Sequence, residues 1–369
     1  MNKPARNYGI DFLRILSMLG VVFLHVLAHG GILDIAQSPD RFSLVWFLEI
    51  LAYPAVNCFV LISGFVGYRG EAFFPRLKNF FVLVFTVVFY NFSFFALYTV
   101  LRPESFSVKE LFLNLFPTYG NKYWFFTTYF GLFLLSPFLN ILVYRSNLKQ
   151  SFLFLTVLGI FSIISISRDN FFLMEGYSVL WFVLMYLTGA IIQKYRLNTV
   201  LSKKFCLWMV IPAFLITWLS KLLLHFSGIP ALQEHSGDLV NYVSPTVVLM
   251  AIGLLVLFSN AADFSRYSRS IAFLSSSAFS VYLIHDNYYV RVYLMSNLHK
   301  IAANFGVALL ALYIVGCAIV IFWGCILIDK VRIRIFMLLK LDPFAVRTED
   351  FCKTKFNRIY RFLEEKTAE

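Results

Sequence analysis

The sequence predicts an all-α, polytopic integral membrane protein with about ten transmembrane helices in one bundle and both termini cytoplasmic. The 369 residues are 60% hydrophobic and only 14% charged, whereas a soluble domain carries roughly 25% charged residues. The apolar residues form runs long enough for helices that cross a bilayer, which need about 20 residues each. Membrane topology explains the formal net charge of +12, so we predict no nucleic-acid partner.

Ten apolar runs predict the membrane spans, and a shorter stretch predicts a further helix. The stretch 107–117 is too short to cross a bilayer and predicts an amphipathic or re-entrant helix before the fourth span. The runs comprise residues 9–28, 43–67, 80–101, 123–143, 151–167, 178–194, 205–225, 239–259, 271–294 and 302–328.

The distribution of charge predicts the orientation of these spans. Loops on the side of the N-terminus are strongly basic and contain only Glu71 and Asp263 as acids, whereas bases and acids balance in the opposite loops. Because positive loops stay in the cytoplasm, both ends are predicted to be cytoplasmic. We expect a membrane domain over 1–328 and a basic amphipathic cytoplasmic tail over 329–369, which either rests on anionic lipid or is solvated.

Three polar residues interrupt the first apolar run, namely Asp11, Arg14 and His25. Each costs a few kcal/mol near the bilayer centre unless it faces a partner or a wet cavity. On a helix, Arg14 and His25 point within roughly 20° of each other and lie about 16 Å apart. Asp11 lies one turn before Arg14, where an ion pair can form. The stripe indicates the lining of an internal site; the alternative is an ion pair plus a histidine that bonds a neighbouring helix.

A second group of polar residues follows the second apolar run. Ser63 and a glycine permit close approach of a helix or a ligand, and Arg69, Arg76 and Lys78 come soon after. Guanidinium and ammonium groups bind phosphate, so the cluster could hold a nucleotide-like donor. An ordinary positive loop at the cytoplasmic face is the alternative.

A third group lies near the end of the ninth apolar run and consists of His285, Asp286, Asn287 and Arg291. Four polar side chains in seven residues beside an apolar helix suggest a pocket that faces outward. We predict that His285 and Asn287 either orient a substrate that accepts a transferred group or relay a proton. The alternative is a helix end that enters solvent.

Aromatic residues start the fourth apolar run. Tyr123, Trp124 and Tyr129 could form a platform on which a sugar stacks. An aromatic belt at the membrane interface is the commoner explanation for such residues.

His25 and His29 are spaced as two metal ligands on one helix face would be. The sequence places no third ligand near them, and a metal site needs at least three. We therefore predict no metal.

These motifs resemble those of the type-three membrane acyltransferases, a bacterial family that O-acylates surface glycans. The resemblance rests on R-x10-H in the first run (Arg14, His25), on FVLISGF with its downstream bases and on YLIHDN near the end. It covers nearly the whole membrane region. Two family features are absent: paired arginines as R-x-x-R after SGF, and a glutamate in a W-x-L-x-x-E pattern, where this chain has WFFTTY at 124–129.

The resemblance implies an acetyl-CoA donor on the cytoplasmic side and an acceptor sugar hydroxyl on a surface polysaccharide or its lipid-linked precursor. It implies that acyl transfer depends on His25, and that Arg14 and the bases after SGF hold the coenzyme. Localisation would be the bacterial cytoplasmic membrane, with membrane lipids as partners and a homo-oligomer compatible with the sequence.

We therefore predict a membrane O-acetyltransferase. In this account His25 and His285 are catalytic and Arg14, Ser63, Arg69, Arg76 and Lys78 bind the donor. The residues predicted to contact substrate are Asp11, Trp124, Tyr129, Asn287 and Arg291. The main alternative is a carrier or flippase whose polar stripe lines a translocation path. A polysaccharide polymerase would need long periplasmic loops, and those of this chain are modest.

Overall fold

A computed structural model describes residues 6–70, 77–260 and 264–368 of the chain. These residues form helices joined by turns and include no β-strand, which confirms the all-α prediction. Six helical segments among them are long and apolar enough to cross a membrane, and three shorter helices are apolar. The protein is therefore a polytopic membrane protein, whereas the number of about ten spans stays a prediction.

Fifteen helices of the described residues organise the fold, and we number them in chain order. The first eight are α1 (Tyr8–Leu27), α2 (Pro39–Ala52), α3 (Ala55–Gly67), α4 (Leu77–Leu101), α5 (Val108–Leu115), α6 (Trp124–Arg145), α7 (Leu148–Ile164) and α8 (Val179–Lys194). The others are α9 (Lys203–His225), α10 (Pro245–Ser259), α11 (Ser268–Ser275), α12 (Ala278–His285), α13 (Tyr288–Tyr293), α14 (Val307–Leu338) and α15 (Leu341–Ala368).

Three predicted segments differ from the observed helices. The second run divides at Pro54 into α2 and α3, because a proline nitrogen cannot donate the hydrogen bond that a continuous helix needs. The ninth run, 271–294, is three short helices, α11 to α13, and not one continuous helix. The tenth continues through residue 329 to the end of α14 without a break. The short helix predicted within 107–117 is confirmed as α5.

Helix α1 lies at the centre of the molecule. Its N-terminus is capped by Asn7, whose side chain accepts a hydrogen bond of 3.1 Å from the backbone N–H of Ile10. It contacts α2, α3, α10, α11, α12 and α14. A polar stripe on this helix therefore faces protein and not lipid, which is how polar side chains are accommodated in membrane bundles.

Helices α3 and α8 pack very closely, because a glycine on each removes the side chain at the contact. A Cβ at Gly64 would lie 2.0 Å from the carbonyl oxygen of Tyr186, and one at Gly189 would lie 2.1 Å from that of Leu61. Small residues allow helix backbones to approach in membranes. The close approach predicted at Gly64 is thus that of a helix, and it brings Ser63 beside Tyr186.

The junction between α12 and α13 contains the HDN sequence. His285 ends α12, and Asn287 caps α13 by accepting a hydrogen bond of 3.2 Å from Tyr289. The helix break leaves carbonyl groups without helical partners. The Tyr123 hydroxyl donates to one of them, Leu283, at 2.7 Å and accepts a 2.9 Å bond from the Asn287 amide. The junction is thereby fixed in position within the core.

The C-terminal helix α15 packs against α4. The Lys78 ammonium lies 3.1 Å from the Asp342 carboxylate, and its backbone N–H donates to Glu349 at 2.9 Å. Several large apolar side chains of α15, including Phe351 and Phe362, are exposed. An exposed apolar stripe on a charged helix fits the predicted position at a lipid surface.

Candidate active site

Two of the cavities along α1 have charged side chains in their lining. The first, the His25 cavity, has a volume of about 330 Å³, and its lining includes His25, His29, Glu49, Trp124, Asp286 and Arg291. The second, the Arg14 cavity, has a volume of about 450 Å³, and its lining includes Arg14, Ser63, Arg69, Tyr129, Asn140 and Tyr186. Both volumes are in the range of small-molecule sites, about 300–1,000 Å³.

The two cavities are stacked along the same three helices. On each of α1, α3 and α6, one residue lines the His25 cavity and the residue one turn away lines the Arg14 cavity. One turn corresponds to about 5.4 Å along the helix axis. These pairs are Met18 and Arg14, Phe59 and Ser63, and Phe125 and Tyr129. Met18, Phe59 and Phe125 therefore form the boundary between the cavities, and we call these three the floor of the His25 cavity.

A hydrogen-bonded chain fixes the tautomer of His25. The Nδ1 atom of His285 lies 2.5 Å from the carbonyl oxygen of Val281, which can only accept, so this nitrogen carries the proton. In the neutral ring, the Nε2 atom of His285 is then an acceptor, and it lies 2.9 Å from Nδ1 of His25. Nδ1 of His25 therefore donates. The free lone pair of His25 is on Nε2, and its ring lines the cavity.

A buried carboxylate lies beside this chain. Asp286 is 5% exposed, and its Oδ1 atom lies 3.6 Å from Nδ1 of His25, 3.5 Å from Nε2 of His29 and 3.6 Å from the Arg291 guanidinium. A negative charge at this position stabilises an imidazolium that forms when His25 accepts a proton. The group thus supports proton transfer at His25.

The same residues could hold a metal ion by geometry. His25, His29 and Asp286 offer ligand atoms within 4.8 Å of one another, so the expectation that the two histidines lack a third nearby ligand was wrong. The third group comes from the α12–α13 junction, far away in sequence. However, Arg291 already faces this carboxylate, and Nδ1 of His25 already bonds His285. That no metal is used stays a prediction.

In the Arg14 cavity, an acid on α1 holds the cation. Asp11 is 4% exposed and lies 2.6 Å from the Arg14 guanidinium, with Arg6 as a second ion-pair partner. The predicted i, i+3 ion pair is confirmed. Asp11 faces these two cations, and so it positions Arg14. The Arg14 side chain is 33% exposed and lines the cavity, where its other N–H groups remain available for an anion.

The structure groups many predicted site residues but separates others. Ser63, Arg69 and Tyr129 line the Arg14 cavity, and Trp124 and Arg291 line the His25 cavity. The predicted platform of Tyr123, Trp124 and Tyr129 does not form one surface, because the latter two line different cavities and Tyr123 is buried at the junction.

Three other predicted residues lie apart from both cavity linings or behind them. His285 is 1% exposed and acts on the cavity through His25. Asn287 is 3% exposed and bonds Tyr123. Lys78 pairs with Asp342. Arg76 lies outside the described residues.

Sequence reasoning missed several residues of the His25 cavity. Glu49, Tyr53, Tyr177 and Tyr242 line it, yet none of them was singled out. An acid within an apolar run is a signal that could have found Glu49. The three tyrosines come from separate segments, and no spacing in the sequence relates them.

Comparison with known proteins decides the family. A family model described as an acyltransferase domain matches residues 7–329, which contain both cavities. The chain belongs to the type-three acyltransferase family. No curated protein and no solved structure matches it. This acyltransferase is a multi-pass membrane enzyme by its family and its helices, and the carrier alternative has no support from the match.

Proposed function

We propose that the protein is a membrane O-acetyltransferase of the bacterial cytoplasmic membrane. It moves an acetyl group from cytoplasmic acetyl-CoA to a sugar hydroxyl of a surface polysaccharide or its lipid-linked precursor. The observation that carries this proposal is the arrangement of α1, which presents Arg14 to one cavity and, about three turns further along the helix, His25 to the other.

The Arg14 cavity has the chemistry that the phosphate groups of the donor require. The guanidinium groups of Arg14 and Arg69 line it together with the amide of Asn140. Guanidinium groups bind phosphate through paired, charge-assisted hydrogen bonds. Because Asp11 anchors Arg14 from behind, little side-chain freedom is lost on binding, which favours affinity.

The His25 cavity has the chemistry for proton transfer from an alcohol. A sugar hydroxyl at Nε2 of His25 gives its proton to the ring as its oxygen attacks the acetyl carbonyl. The resulting imidazolium is stabilised by Asp286, while His285 holds the ring through Nδ1. The proton then leaves His25 for the departing thiolate, which restores the neutral ring. Acetyl-CoA supplies the acetyl group and leaves as the thiol.

A covalent route uses the same atom. If Nε2 of His25 attacks the acetyl carbonyl first, the C–S bond breaks and coenzyme A leaves as the thiolate, so that the ring carries the acetyl group. A sugar hydroxyl then takes the acetyl group, and its proton returns to Nε2 and passes to the thiolate. The two routes place different demands on timing but the same demand on tautomer. Both need the Nε2 lone pair that the chain His25–His285–Val281 leaves free.

Transfer between the cavities requires the floor to move. Phe125 contacts Phe59 at a ring-centroid distance of 6.1 Å and stacks on Tyr129 at 6.2 Å. Side-chain rotation at these positions would join the two cavities and let the thioester reach His25. Such rotations are much faster than a typical enzymatic turnover.

The proposal is tested by comparing surface-glycan mass between strains that lack the gene and carry either the wild type or His25→Ala. We expect one acetyl unit per repeat with the wild type and none with H25A at equal membrane expression. His235→Ala is the matched control, since His235 is exposed and its side chain bonds only Asp238 among the described residues. Acetylated glycan with H25A would contradict the role of His25.

A further inference from the structure

Glu49 is a buried acid of the His25 cavity that has no role in the mechanism above. It exposes 6% of its surface and lines the cavity. Its Oε2 atom has no hydrogen-bond partner among the residues that the structure describes. Its neighbours Val45 and Ile50 on α2 are fully buried and apolar. A buried polar group without a partner is destabilising, so this position points to a ligand that satisfies it.

Four aromatic rings surround the same part of the cavity. Tyr53 follows Glu49 by one turn and caps the C-terminal end of α2, and its ring lies 5.0 Å from that of Tyr242. Tyr177 lies 5.4 Å from Tyr242 and 4.4 Å from Trp124. All four line the cavity with Glu49. Together they offer flat apolar faces and phenolic hydroxyls around one carboxyl group.

We propose that Glu49 and these four rings form the subsite that binds the acceptor sugar, an inference that rests on the proposed function. A sugar ring has an apolar C–H face and a rim of hydroxyls. The rings of Tyr53, Tyr177, Tyr242 and Trp124 take the apolar face, and the carboxyl group of Glu49 bonds adjacent hydroxyls. Because His25 lines the same cavity, a further hydroxyl of the bound sugar is presented to Nε2.

The other ligand suited to a carboxylate within aromatic rings is an ammonium ion. The shared cavity favours the sugar, since the base at His25 needs a hydroxyl and not a cation as its partner. The two ligands also respond differently to substitution. A glutamine keeps hydrogen-bonding groups for hydroxyls but loses the charge that an ammonium ion requires.

The test uses the full-length protein in lipid nanodiscs. Binding of methyl glucoside, methyl galactoside and methyl N-acetylglucosaminide is measured by saturation-transfer NMR for the wild type, Glu49→Gln and Glu49→Leu. We expect the wild type to bind at least one glycoside and E49L to bind it roughly tenfold or more weakly. E49Q should lie between them, and acetyl-CoA binding should be unchanged in both. Glu104→Leu, at an exposed position of a short 3-10 helix, is the matched control.

Thermal unfolding separates this role from a structural one. Because the carboxyl group is unpartnered, E49L and E49Q should unfold at the same temperature as the wild type or higher. A lower unfolding temperature in both variants, equal losses of glycoside binding in both, or no glycoside bound by the wild type would overturn the subsite. Glycoside binding that depends on Glu49 without acetyl transfer would instead contradict the proposed function alone.

Discussion

The His25 cavity and the Arg14 cavity differ in the chemical groups that line them, although α1, α3 and α6 contribute residues to both. In the Arg14 cavity, the important group is a fixed cation with a carboxylate behind it, and its guanidinium stays one-third exposed. In the His25 cavity, the important group is an imidazole in a chain of neutral hydrogen bonds, surrounded by aromatic rings. A phosphate-bearing donor needs the first environment. Proton transfer needs the second, where fewer waters compete and the tautomer is set.

The comparison also shows how little separates the two environments. One helical turn on α1, α3 and α6 changes the lining from Arg14, Ser63 and Tyr129 to Met18, Phe59 and Phe125. In the proposed function, these three apolar side chains separate the donor-binding cavity from the cavity in which proton transfer takes place. Because each cavity has its own charged or aromatic residues, single substitutions can alter one cavity without the other.

Removing the partner of His25 should damage only the chemistry. In His285→Ala, Nδ1 of His25 loses its acceptor, and the ring is no longer held with Nε2 free. General-base contributions are about 10²–10⁴-fold, so we expect kcat to fall by about 100-fold with KM for acetyl-CoA unchanged. Steady-state kinetics of the purified enzyme measures both. A kcat within about twofold of the wild type would show that His285 does not position His25.

Removing the cation should damage only donor binding. In Arg14→Ala, the Arg14 cavity loses a guanidinium, and hydrogen bonds to charged groups contribute about 1.5–3 kcal/mol. We expect KM for acetyl-CoA to rise about tenfold or more and glycoside binding to stay unchanged. Arg102→Ala, at an exposed position outside the helices, is the control. The division between cavities fails if R14A weakens glycoside binding as much as donor binding.

Truncating a side chain of the floor should connect the two cavities. In Phe125→Ala, the ring that lies between Phe59 and Tyr129 is lost. We expect hydrolysis of acetyl-CoA without an acceptor to rise several-fold, because water can then reach the thioester. Release of free thiol reports this reaction. Phe138→Ala, at an exposed position of the same helix, should leave the rate unchanged, and an equal rise in both variants would argue against the floor.

Removing metals should have no effect. The Arg291 guanidinium lies 3.6 Å from the Asp286 carboxylate, so a positive charge already faces this group and opposes a second cation there. We expect the same acetyl transfer rate before and after treatment with a chelator. Loss of activity that zinc restores would instead make His25, His29 and Asp286 a metal site.

The sequence predicts the fold class and the polar stripe on α1 because both depend on patterns within short stretches of the chain. Apolar runs identify the helices, and a spacing of eleven residues places Arg14 and His25 on one stripe of α1. The partners depend on packing between distant segments. Asp286 lies near His25 and His29 because α12 ends at His285, beside these two histidines. The same helix break allows Asn287 to bond Tyr123. The ring cluster around Glu49 has the same origin.

Acetyl transfer along α1 through His25 can be tested in proteoliposomes in which all enzyme molecules have the same orientation. Labelled acetyl-CoA is supplied only on the side to which the Arg14 cavity opens, and a glycan acceptor only on the other side. We predict labelled glycan with the wild type and background label with His25→Ala. Equal labelling with H25A, or labelling only when both substrates share one side, would contradict transfer along α1 through His25.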